Sequence, residues 1–458
     1  MTEMKIAVLL KYFRGELNPF DGAALECALE CGAEVTAVAM APASVAPALE
    51  NLTRLGIKAI LITDPAYAGS DTQATALVLA RAMERLSPDI IFTGRQSMDG
   101  DTAQVPPMLA QRLGFAFVSS VMKFDFPRLV TRVGEEAVLK EKTVFSFEKI
   151  RNLRFPSIFS KKGKVEAWDN TLLAIDKERC GAVGSPTRVV RSYESAVGRR
   201  SCRFVSPDAF DSLLKESLAK TAEEQGAAQG NKAAEIYYVG EVRDVAERYA
   251  ERAIAYDAQN KSAEEVAAEL SALGASVVLF ESNETYKTLA SRVAVILGAG
   301  LCADCISFRQ EGERFIMTRP ALGGTVTADI ASTSKITFAT VRKTRGDGDG
   351  ILFAIGRGAA SYKGKIRALA QKYGAALAAS RAVVDDGEMP YECQLGVTGK
   401  IVSPRVYVAF GISGAVQHTA AVSGAGTVIA INTDKNARIF DYSDYGIIED
   451  VNNLLEEK

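Results

Sequence analysis

The stretch GISGAVQH, residues 411–418, contains the only histidine among the 458 residues of the chain. A serine between glycines with an imidazole nearby is similar to a nucleophile elbow, whose pattern is Gly-x-Ser-x-Gly. Here the fifth position holds Ala415, and His418 follows Ser413 along the same element. A catalytic histidine normally comes from a separate loop, so the stretch argues against a hydrolase.

The same stretch follows VYVAF (406–410), a run typical of a buried strand. Gly411 and Gly414 allow the main chain to approach a ligand closely before a helix begins. A strand, a glycine turn and a helix N-terminus present free N–H groups and a positive dipole end to an anion. The pattern indicates a bound phosphate or an electron-rich ring with His418 at its edge. The alternative is a surface or core histidine whose hydrogen bonds are satisfied without a ligand.

Two other stretches carry residues suited to phosphate or metal. GRG (356–358) follows a strand-like run, but Ser361 stands where a dinucleotide fingerprint has its third glycine, so Arg357 is left as a candidate phosphate contact. DGDT (99–102) has two carboxylates able to hold Mg²⁺. Because no third oxygen ligand is near, we expect these carboxylates to cap a helix beginning near Thr102, with a nucleotide across the same strand end.

The cysteines predict thiols and no metal centre. All seven are scattered through a long chain, which favours reduced thiols over a disulfide framework. Cys302 and Cys305 form a single C-x-x-C without a second pair, so we expect two buried thiols near a helix end. One histidine excludes HExxH zinc sites and histidine-rich metal clusters.

Composition excludes several classes of protein. The chain is 48% hydrophobic and 24% charged, which is enough to bury the cores of two or three domains. Its net charge of -2, without a long basic run, argues against a nucleic-acid partner. The N-terminus lacks the pattern of a secretory signal and no apolar run approaches the length of a membrane span, so we expect a cytoplasmic protein without membrane insertion.

Apolar runs separated by helical spacing predict parallel sheets covered on both faces. In the first third of the chain, strands are predicted at 5–13, 35–42, 58–64 and 89–94. They alternate with helices predicted at 23–32, 44–56 and 72–86. A helix over 210–225 leads into GAAQGNKAAE, which reads as a linker between two formerly separate units. A second strand and helix series begins at residue 235 and, after the break RGDGDG (345–350), a third runs to the end.

The chain resembles the electron transfer flavoproteins, β subunit first and α subunit second. The β-like motifs are NPFD (18–21), GSDTQATA (69–76), TGRQSMDGDTAQV (93–105) and GSPTRVVRSY (184–193). The α-like motifs, in order, are GLCADC (300–305), TRPALGG (318–324), ATVR (339–342), GRG, SRAVVDDG (380–387), QLGVTGK (394–400), GISGAVQH, AIN (430–432) and DYGIIED (444–450). The family usually keeps these subunits on two genes, so the resemblance implies a fusion across a linker at 221–234.

The resemblance implies an FAD in the C-terminal domain. There an imidazole, a guanidinium and a helix N-terminus would stabilise reduced flavin, which makes His418 a tuner of its potential. Thr398 matches the hydroxyl near flavin N5, and Arg381 would lie over the ring. The implied contacts are Arg357, Ser380, Arg381, Leu395, Gly396, Val397, Thr398, Ser413, Gly414, Ala415, Val416, Gln417, His418, Asn432 and Asp450.

The β-like half is expected to hold a second adenine-containing ligand. In many members this is AMP, whereas electron-bifurcating members hold a second FAD and have a motif like DGDTAQV, which favours FAD here. The implied contacts are Leu9, Asn18, Pro19, Phe20, Asp21, Met40, Asp99, Gly100, Asp101, Thr102, Ala103, Gln104 and Val105.

Three departures from the family pattern bear on these expectations. Pro106 stands at a family glycine, which removes a main-chain donor. Val397 stands where a flavin-contacting glutamine is usual. The α-like region from 235 to about 345 is roughly half the family's length, and the segment joining it to the FAD domain is nearly absent. A shorter joining segment should restrict the domain swing that brings flavin to its partners.

The fold expected is α/β, with Rossmann-like doubly wound parallel sheets in the β-like half and the α-like N-terminal part, plus a C-terminal α/β FAD-binding domain. The predicted segments are the β-like nucleotide-binding domain (1–205), a helix and linker (206–234), the shortened α-like N-terminal domain (235–345) and the FAD-binding domain (346–458).

The function implied is that of an electron carrier, with no residue assigned a catalytic role and no metal. It would accept electrons from a flavoprotein dehydrogenase similar to acyl-CoA dehydrogenases and pass them to a quinone oxidoreductase, ferredoxin or flavodoxin. One alternative is an electron-bifurcating flavoprotein whose second FAD oxidises NADH. Another is a nucleotide-binding scaffold or regulator that has lost electron transfer.

Overall fold

The computed structural model describes seven parts of the chain: residues 4–194, 199–219, 232–322, 326–341, 348–396, 399–400 and 402–456. The chain divides into two compact units. Unit 1 comprises residues 1–190, 230–317 and 330–341, and unit 2 comprises residues 191–229, 318–329 and 342–458.

Residues 4–194 alternate strands with helices, as the apolar runs predicted. The strands are β1 Lys5–Leu10, β2 Tyr12–Phe13, β3 Glu16–Leu17, β4 Glu34–Met40, β5 Lys58–Ile62, β6 Ile90–Gly94, β7 Ala116–Asp125, β8 Arg128–Thr131, β9 Glu136–Val138, β10 Thr143–Phe147, β11 Val165–Trp168 and β12 Thr187–Glu194. The helices are α1 Pro19–Glu30, α2 Ala46–Thr53, α3 Thr72–Leu86, α4 Val105–Leu113, α5 Asn170–Leu173 and α6 Gly181–Gly184.

Residues 199–341 contribute nine strands and four helices in the described ranges. The strands are β13 Arg203–Phe204, β14 Ala233–Val239, β15 Ala250–Ala255, β16 Val277–Glu281, β17 Gly300–Cys305, β18 Ser307–Glu311, β19 Arg314–Ala321, β20 Val326–Ser332 and β21 Thr337–Val341. The helices are α7 Phe210–Ala219, α8 Arg243–Tyr249, α9 Ala263–Ala272 and α10 Glu284–Leu297.

Residues 348–456 again alternate strand and helix. The strands are β22 Gly348–Ile355, β23 Ala376–Ser380, β24 Gln394–Leu395, β25 Pro404–Phe410, β26 Thr427–Asn432 and β27 Tyr445–Ile448. The helices are α11 Lys363–Tyr373, α12 Arg381–Asp385, α13 Val416–Thr419 and α14 Val451–Glu456.

Unit 1 contains two sheets with a parallel core. The larger has nine strands in the order β11-β5-β4-β1-β6-β10-β7-β8-β9, and the smaller has five in the order β15-β14-β16-β21-β17. Alternate residues of β1 enter different cores, Ile6 and Val8 on one face and Ala7 and Leu9 on the other. Both faces are therefore covered, which confirms the doubly wound α/β prediction.

Unit 2 is built on a seven-stranded sheet of order β13-β27-β26-β25-β22-β23-β24. Each pair of neighbouring strands in this sheet is parallel. Residues upstream of the predicted linker belong to it, since β13 pairs with β27 and α7 buries Phe210 against Phe410. The predicted helix over 210–225 ends its described part at Ala219, and the remainder lies outside the described residues.

Element boundaries differ from the predictions where local chemistry sets them. Helix α1 begins at Pro19 instead of residue 23, because proline is pre-organised for the first helical position and its missing N–H is not needed there. Helix α2 begins at Ala46 after a short 3₁₀ turn, Ala43–Val45. The helix predicted over 72–86 is confirmed, with Asp71 accepting a hydrogen bond from the Ala74 N–H as its cap.

Candidate functional site

The residues implied as FAD contacts follow the carboxyl ends of neighbouring parallel strands. Arg357 follows β22, Arg381 follows β23, Gly396 follows β24, Ser413 follows β25 and Asp450 follows β27. Asn432 is the last residue of β26, Ser380 of β23 and Leu395 of β24. Because carboxyl ends of parallel strands lie at one edge, the sheet brings these positions together along about 24 Å, five spacings of about 4.8 Å. Val397 and Thr398 lie outside the described residues.

The middle of this edge is a topological switch point. From β22 the chain runs outward to β23, then returns to the other side of β22 as β25. Ligands of open α/β sheets bind in the crevice at such a point. The two strand ends touch, since a Cβ on Gly356 would lie 2.2 Å from the Gly411 carbonyl oxygen. Gly411 itself has φ +61, which favours glycine.

The turn after β25 offers unpaired donors. Within the described residues, the main-chain N–H groups of Ser413, Gly414 and Ala415 have no hydrogen-bond partner. Gly414 has φ +87, and a Cβ there would lie 2.1 Å from the Ile439 nitrogen. Helix α13 follows the turn and has only four residues. Its dipole is correspondingly small, so free N–H groups matter more here than the macrodipole does.

Among the described residues that follow or end these strands, two side-chain atoms are buried without a hydrogen-bond partner: the Ser380 hydroxyl oxygen and His418 Nδ1. Two guanidinium groups, those of Arg357 and Arg381, follow the neighbouring strands β22 and β23. Arg357 is exposed and has no ion-pair partner in the described part of the chain, whereas Arg381 pairs with Asp385 at 3.2 Å. A hydroxyl, an imidazole, two cations and free N–H groups fit an electron-rich ring carrying phosphates.

His418 is buried and bonded to a residue that sequence reasoning did not identify. Its Nε2 lies 2.6 Å from the Tyr407 hydroxyl, and both side chains are buried. Burial lowers the pKa of His418 from 6.5 to about 4 and raises the pKa of Tyr407 well above its ordinary value. Both side chains are therefore neutral near pH 7. The only sequence signal for Tyr407 is a hydroxyl within an otherwise apolar strand.

The remaining implied contacts differ in how far protein bonds already engage them. Asn432 donates to the Ile412 carbonyl and accepts from the Asp434 N–H. Asp450 accepts from the Asn452 N–H at the start of α14. Leu395 is buried, Gln417 is exposed and Val416 is half-buried. The side chains of Asn432 and Asp450 are thus already engaged in hydrogen bonds within the protein, which fix the main chain at this edge.

The second candidate site lies at the carboxyl ends of β1, β4 and β6 in unit 1, where the chain switches sides of β1. Leu9 lies in β1 and Met40 ends β4. Pro19 and Phe20 open α1. The loop 99–105 follows β6.

The prediction that Asp99 and Asp101 cap a helix near Thr102 is wrong. Helix α4 begins at Val105 and its N-cap, Gln104, makes no side-chain cap. Asp101 and Ala103 have φ of +54 and +55, which interrupts the helix that the sequence suggested. Asp99 instead forms a 3.0 Å ion pair with Lys11, and Asp101 accepts from Gln96.

This loop presents groups suited to a nucleotide. The main-chain N–H groups of Thr102, Ala103 and Gln104 have no partner among the described residues. Three buried side-chain atoms are also unpartnered: Asn18 Oδ1, Asp99 Oδ1 and Gln104 Nε2. The Thr72 hydroxyl donates to Gln104 Oε1, which leaves the amide nitrogen as a donor. Two acceptors, one side-chain donor and three N–H groups complement ribose hydroxyls, an adenine amino group and a phosphate.

Asp21 has an internal role. Its two carboxylate oxygens accept from the Lys11 N–H at 2.6 Å and the Gly94 N–H at 3.0 Å. It thereby joins the ends of β1 and β6, with burial raising its pKa to about 7. Gly94 must be glycine, since a Cβ would lie 2.2 Å from Asp21 Oδ1.

Pro106 and Pro107 occupy the second and third positions of α4. Both lack an N–H group, so this helix start keeps fewer main-chain donors than usual. The helix start therefore lacks two main-chain donors: the one expected to be missing at Pro106 and a second one at Pro107.

The cysteines agree with the sequence analysis. All seven are free thiols, and Cys302 and Cys305 are buried in β17, close to the end of α10. The described residues contain no group of three or more potential metal ligands. They also contain no helix long and apolar enough to cross a membrane.

Parallel α/β sheets with unpartnered polar groups at their carboxyl edges define a nucleotide-binding class of protein. Sequence comparison narrows that class: the electron transfer flavoprotein domain model matches residues 8–146 and 215–372, and the electron transfer flavoprotein FAD-binding domain model matches residues 348–423. These matches cover more than half of the chain. The chain belongs to the electron transfer flavoprotein family, and its C-terminal region carries the family's FAD-binding domain.

Individual relatives show the order of the fusion. The electron transfer flavoprotein subunit β of Thermoanaerobacterium thermosaccharolyticum is 37% identical over 225 residues, 45% of this chain and 84% of that protein. Subunit α of Bacillus subtilis is 33% identical over 216 residues, 38% of this chain and 66% of that protein. The β relatives match the N-terminal part and the α relatives the later part, which confirms the fusion.

Proposed function

We propose that FAD bound at the carboxyl edge of the unit 2 sheet accepts electrons from a flavoprotein dehydrogenase and passes them to a downstream acceptor. The acceptor would be a quinone oxidoreductase, a ferredoxin or a flavodoxin. The observation that carries the proposal is a single edge with two buried, unpartnered polar atoms, on Ser380 and His418. Buried polar groups are costly unless they are satisfied, so such a pair marks a ligand position.

Different residues of the chain would bind different parts of FAD. In this proposal the N–H groups of Ser413, Gly414 and Ala415, together with Arg357, would hold phosphate charge; the absence of a hydrogen-bond partner for these N–H groups among the described residues supports that role. The Ser380 hydroxyl and His418 Nδ1 would bond polar ring atoms, a role that their burial without a protein partner among the described residues supports. When bound, FAD supplies the one- and two-electron chemistry, and the protein adjusts its potential. Thr398, Val397 and Gly396 complete the proposed contacts.

The loop 99–105 supports a second nucleotide in unit 1, and FAD remains the favoured identity over AMP. Asn18, Asp99 and Gln104 supply the unpartnered atoms, and Thr102 and Ala103 supply N–H groups. A second FAD would make the protein an electron-bifurcating carrier that oxidises NADH, whereas AMP would be structural.

Flavin and nucleotide content separates these functions. The chain is purified, incubated with FAD, gel-filtered and denatured, and the released nucleotides are quantified by absorbance and chromatography. Two FAD per chain support bifurcation, and one FAD with one AMP supports the simple carrier. A colourless protein after incubation contradicts electron transfer and supports the nucleotide-binding scaffold.

An exposed apolar segment supports docking of a protein partner. Phe155, Ile158 and Phe159 are 96%, 84% and 87% exposed in unit 1. Clustered apolar side chains in contact with water are typical of interaction sites.

The four predicted segments, 1–205, 206–234, 235–345 and 346–458, remain our proposal for the origin of the fusion. The short segment joining 341 to 348 lies outside the described residues, and its predicted restriction of domain swing is part of the proposal.

A further inference from the structure

The single histidine has one hydrogen-bond partner and one unpartnered nitrogen. His418 and Tyr407 are 6% and 0% exposed, and 2.6 Å separates Nε2 from the tyrosine hydroxyl oxygen. Tyr407 has no other hydrogen-bond partner among the described residues, and Nδ1 has none. Tyr407 faces the same core layer as Ile412 and Ile439, which flank the turn carrying the free N–H groups.

Two proton arrangements are compatible with this distance. If Nε2 carries the proton, it donates to Tyr407, and both the tyrosine O–H and the Nδ1 lone pair are then buried without partners. If Nδ1 carries the proton, Tyr407 donates to Nε2 and only the Nδ1–H lacks a partner. A buried unsatisfied polar group costs about 1–3 kcal/mol, so the second arrangement is favoured by the smaller number of such groups.

We propose that Tyr407 is a positioning residue that donates a hydrogen bond from its hydroxyl to His418 Nε2 and holds the neutral imidazole in the tautomer with hydrogen on Nδ1. The Nδ1–H is then a fixed donor for the ligand of the unit 2 edge. The identity of that ligand as FAD rests on the proposed function, whereas the tautomer does not. A partner on one ring nitrogen commonly fixes which nitrogen is protonated.

The proposal makes the histidine a neutral donor. Its N–H satisfies a carbonyl or ring nitrogen of an oxidised ligand and bonds more strongly once that ligand gains negative charge. Removing the Tyr407 hydroxyl would leave both tautomers accessible, so a fraction of molecules would present a lone pair to the same acceptor.

Nuclear magnetic resonance of the ¹⁵N-histidine-labelled chain tests the tautomer directly, because one histidine gives one pair of ring nitrogen signals. Coupling to the ring protons assigns Nδ1 and Nε2. In the wild-type protein without FAD we expect the protonated-type signal from Nδ1. In Tyr407→Phe we expect both nitrogens to move toward intermediate values. Tyr373→Phe, which removes the hydroxyl bonded to Asp211, is the matched control and should leave the wild-type pattern.

A protonated Nε2 in the wild-type protein would overturn the proposal, even if Tyr407→Phe does not fold. An Nδ1 tautomer unchanged in a folded Tyr407→Phe would also overturn it. With FAD loaded, Tyr407→Phe should retain its flavin and shift the midpoint potential downward, and Tyr373→Phe should not. Failure of the wild-type chain to bind FAD would contradict the proposed function while leaving the nitrogen signals as an independent test.

Discussion

At the scale of the residue, the proposed role of His418 is that of a neutral hydrogen-bond donor and not that of a cation. Its pKa is lowered to about 4 because burial disfavours the charged ring. In the proposed site Arg357, which has no ion-pair partner among the described residues, would supply positive charge, and His418 would supply a directed hydrogen bond. An N–H bond to an acceptor that becomes negative on reduction still favours the reduced form.

Replacing His418 by alanine should lower the flavin potential. A hydrogen bond to a charged group contributes about 1.5–3 kcal/mol. For a two-electron couple, about 30 mV corresponds to 1.4 kcal/mol, so we expect a fall of roughly 30–60 mV. Spectroelectrochemical titration of the FAD-loaded protein measures it. His418→Gln keeps an N–H donor and should recover part of the shift, while an unchanged potential in His418→Ala would count against the tuning role.

The buried neutral imidazole also predicts a pH dependence. An unfolded histidine titrates near pH 6.5, above the folded pKa of about 4. Between these values the unfolded chain binds the extra proton, so unfolding becomes easier as pH falls from 6.5 to 4. The full effect is about 3 kcal/mol. Urea denaturation of the FAD-free protein at several pH values measures it.

Comparison with His418→Gln isolates this contribution, because Asp21 titrates in the same range. The wild-type chain should lose more stability on acidification than the variant does. Equal losses in both proteins would show that His418 is not buried in its neutral form.

At the scale of the element, both candidate sites depend on how strand ends are held together. Asp21 links the ends of β1 and β6 through the N–H groups of Lys11 and Gly94. The loop 99–105 follows β6, whose end this link holds. The Asp21 carboxylate therefore positions the second site through main-chain geometry.

Asp21→Asn should destabilise unit 1 by about 1–3 kcal/mol, because the amide can accept from only one of the two N–H groups. Denaturant titration measures the loss. The folded pKa of about 7 lies above the unfolded value, so the Asp21 contribution to stability falls as pH rises from 4 to 7. That slope should disappear in Asp21→Asn, and a slope retained in the variant would exclude Asp21 as its source.

The elements themselves were largely predictable, because continuous apolar strands and glycine-ended helices are local features. The loop 99–105 was not, since the positive φ of +55 at Ala103 has no signature in residue type, although aspartate adopts positive φ more often than most residues. The Tyr407 to His418 contact was also missed. A tyrosine in an apolar strand looks like core, and only the folded strand end brings its hydroxyl to the imidazole. The packing of α7 against the unit 2 sheet depends on contacts between residues far apart in the chain. The hydrophobic periodicity of the sequence does not encode such contacts.

At the scale of the whole molecule, the fusion joins parts that already share a core. Within unit 1, Gln73 donates from a buried position to the Ala294 and Ala299 carbonyls at 2.6 and 3.2 Å. Ala76 and Met108 lie in the same apolar cluster as Val239 and Phe280. The covalent link is therefore not needed to hold the β-like and α-like parts together.

Cutting the chain between residues 219 and 232, by expressing the two pieces together, should leave them associated on gel filtration. Gln73→Glu places a carboxylate against two carbonyl oxygens and should weaken that association by at least tenfold, about 1.4 kcal/mol. Arg81→Gln, on the exposed side of the same helix, is the control. Pieces that separate at micromolar concentration would show that the linker, and not the shared core, maintains the assembly.

Spectroscopic titration of the purified chain with FAD, followed by anaerobic reduction, tests the central claim most directly. We predict saturable binding at the unit 2 edge and a reducible flavin, both retained when the Asn18, Asp99 and Gln104 site is altered, and FAD binding there lost in a Gly414→Val variant. A wild-type chain that stays colourless after FAD and gel filtration would contradict the claim.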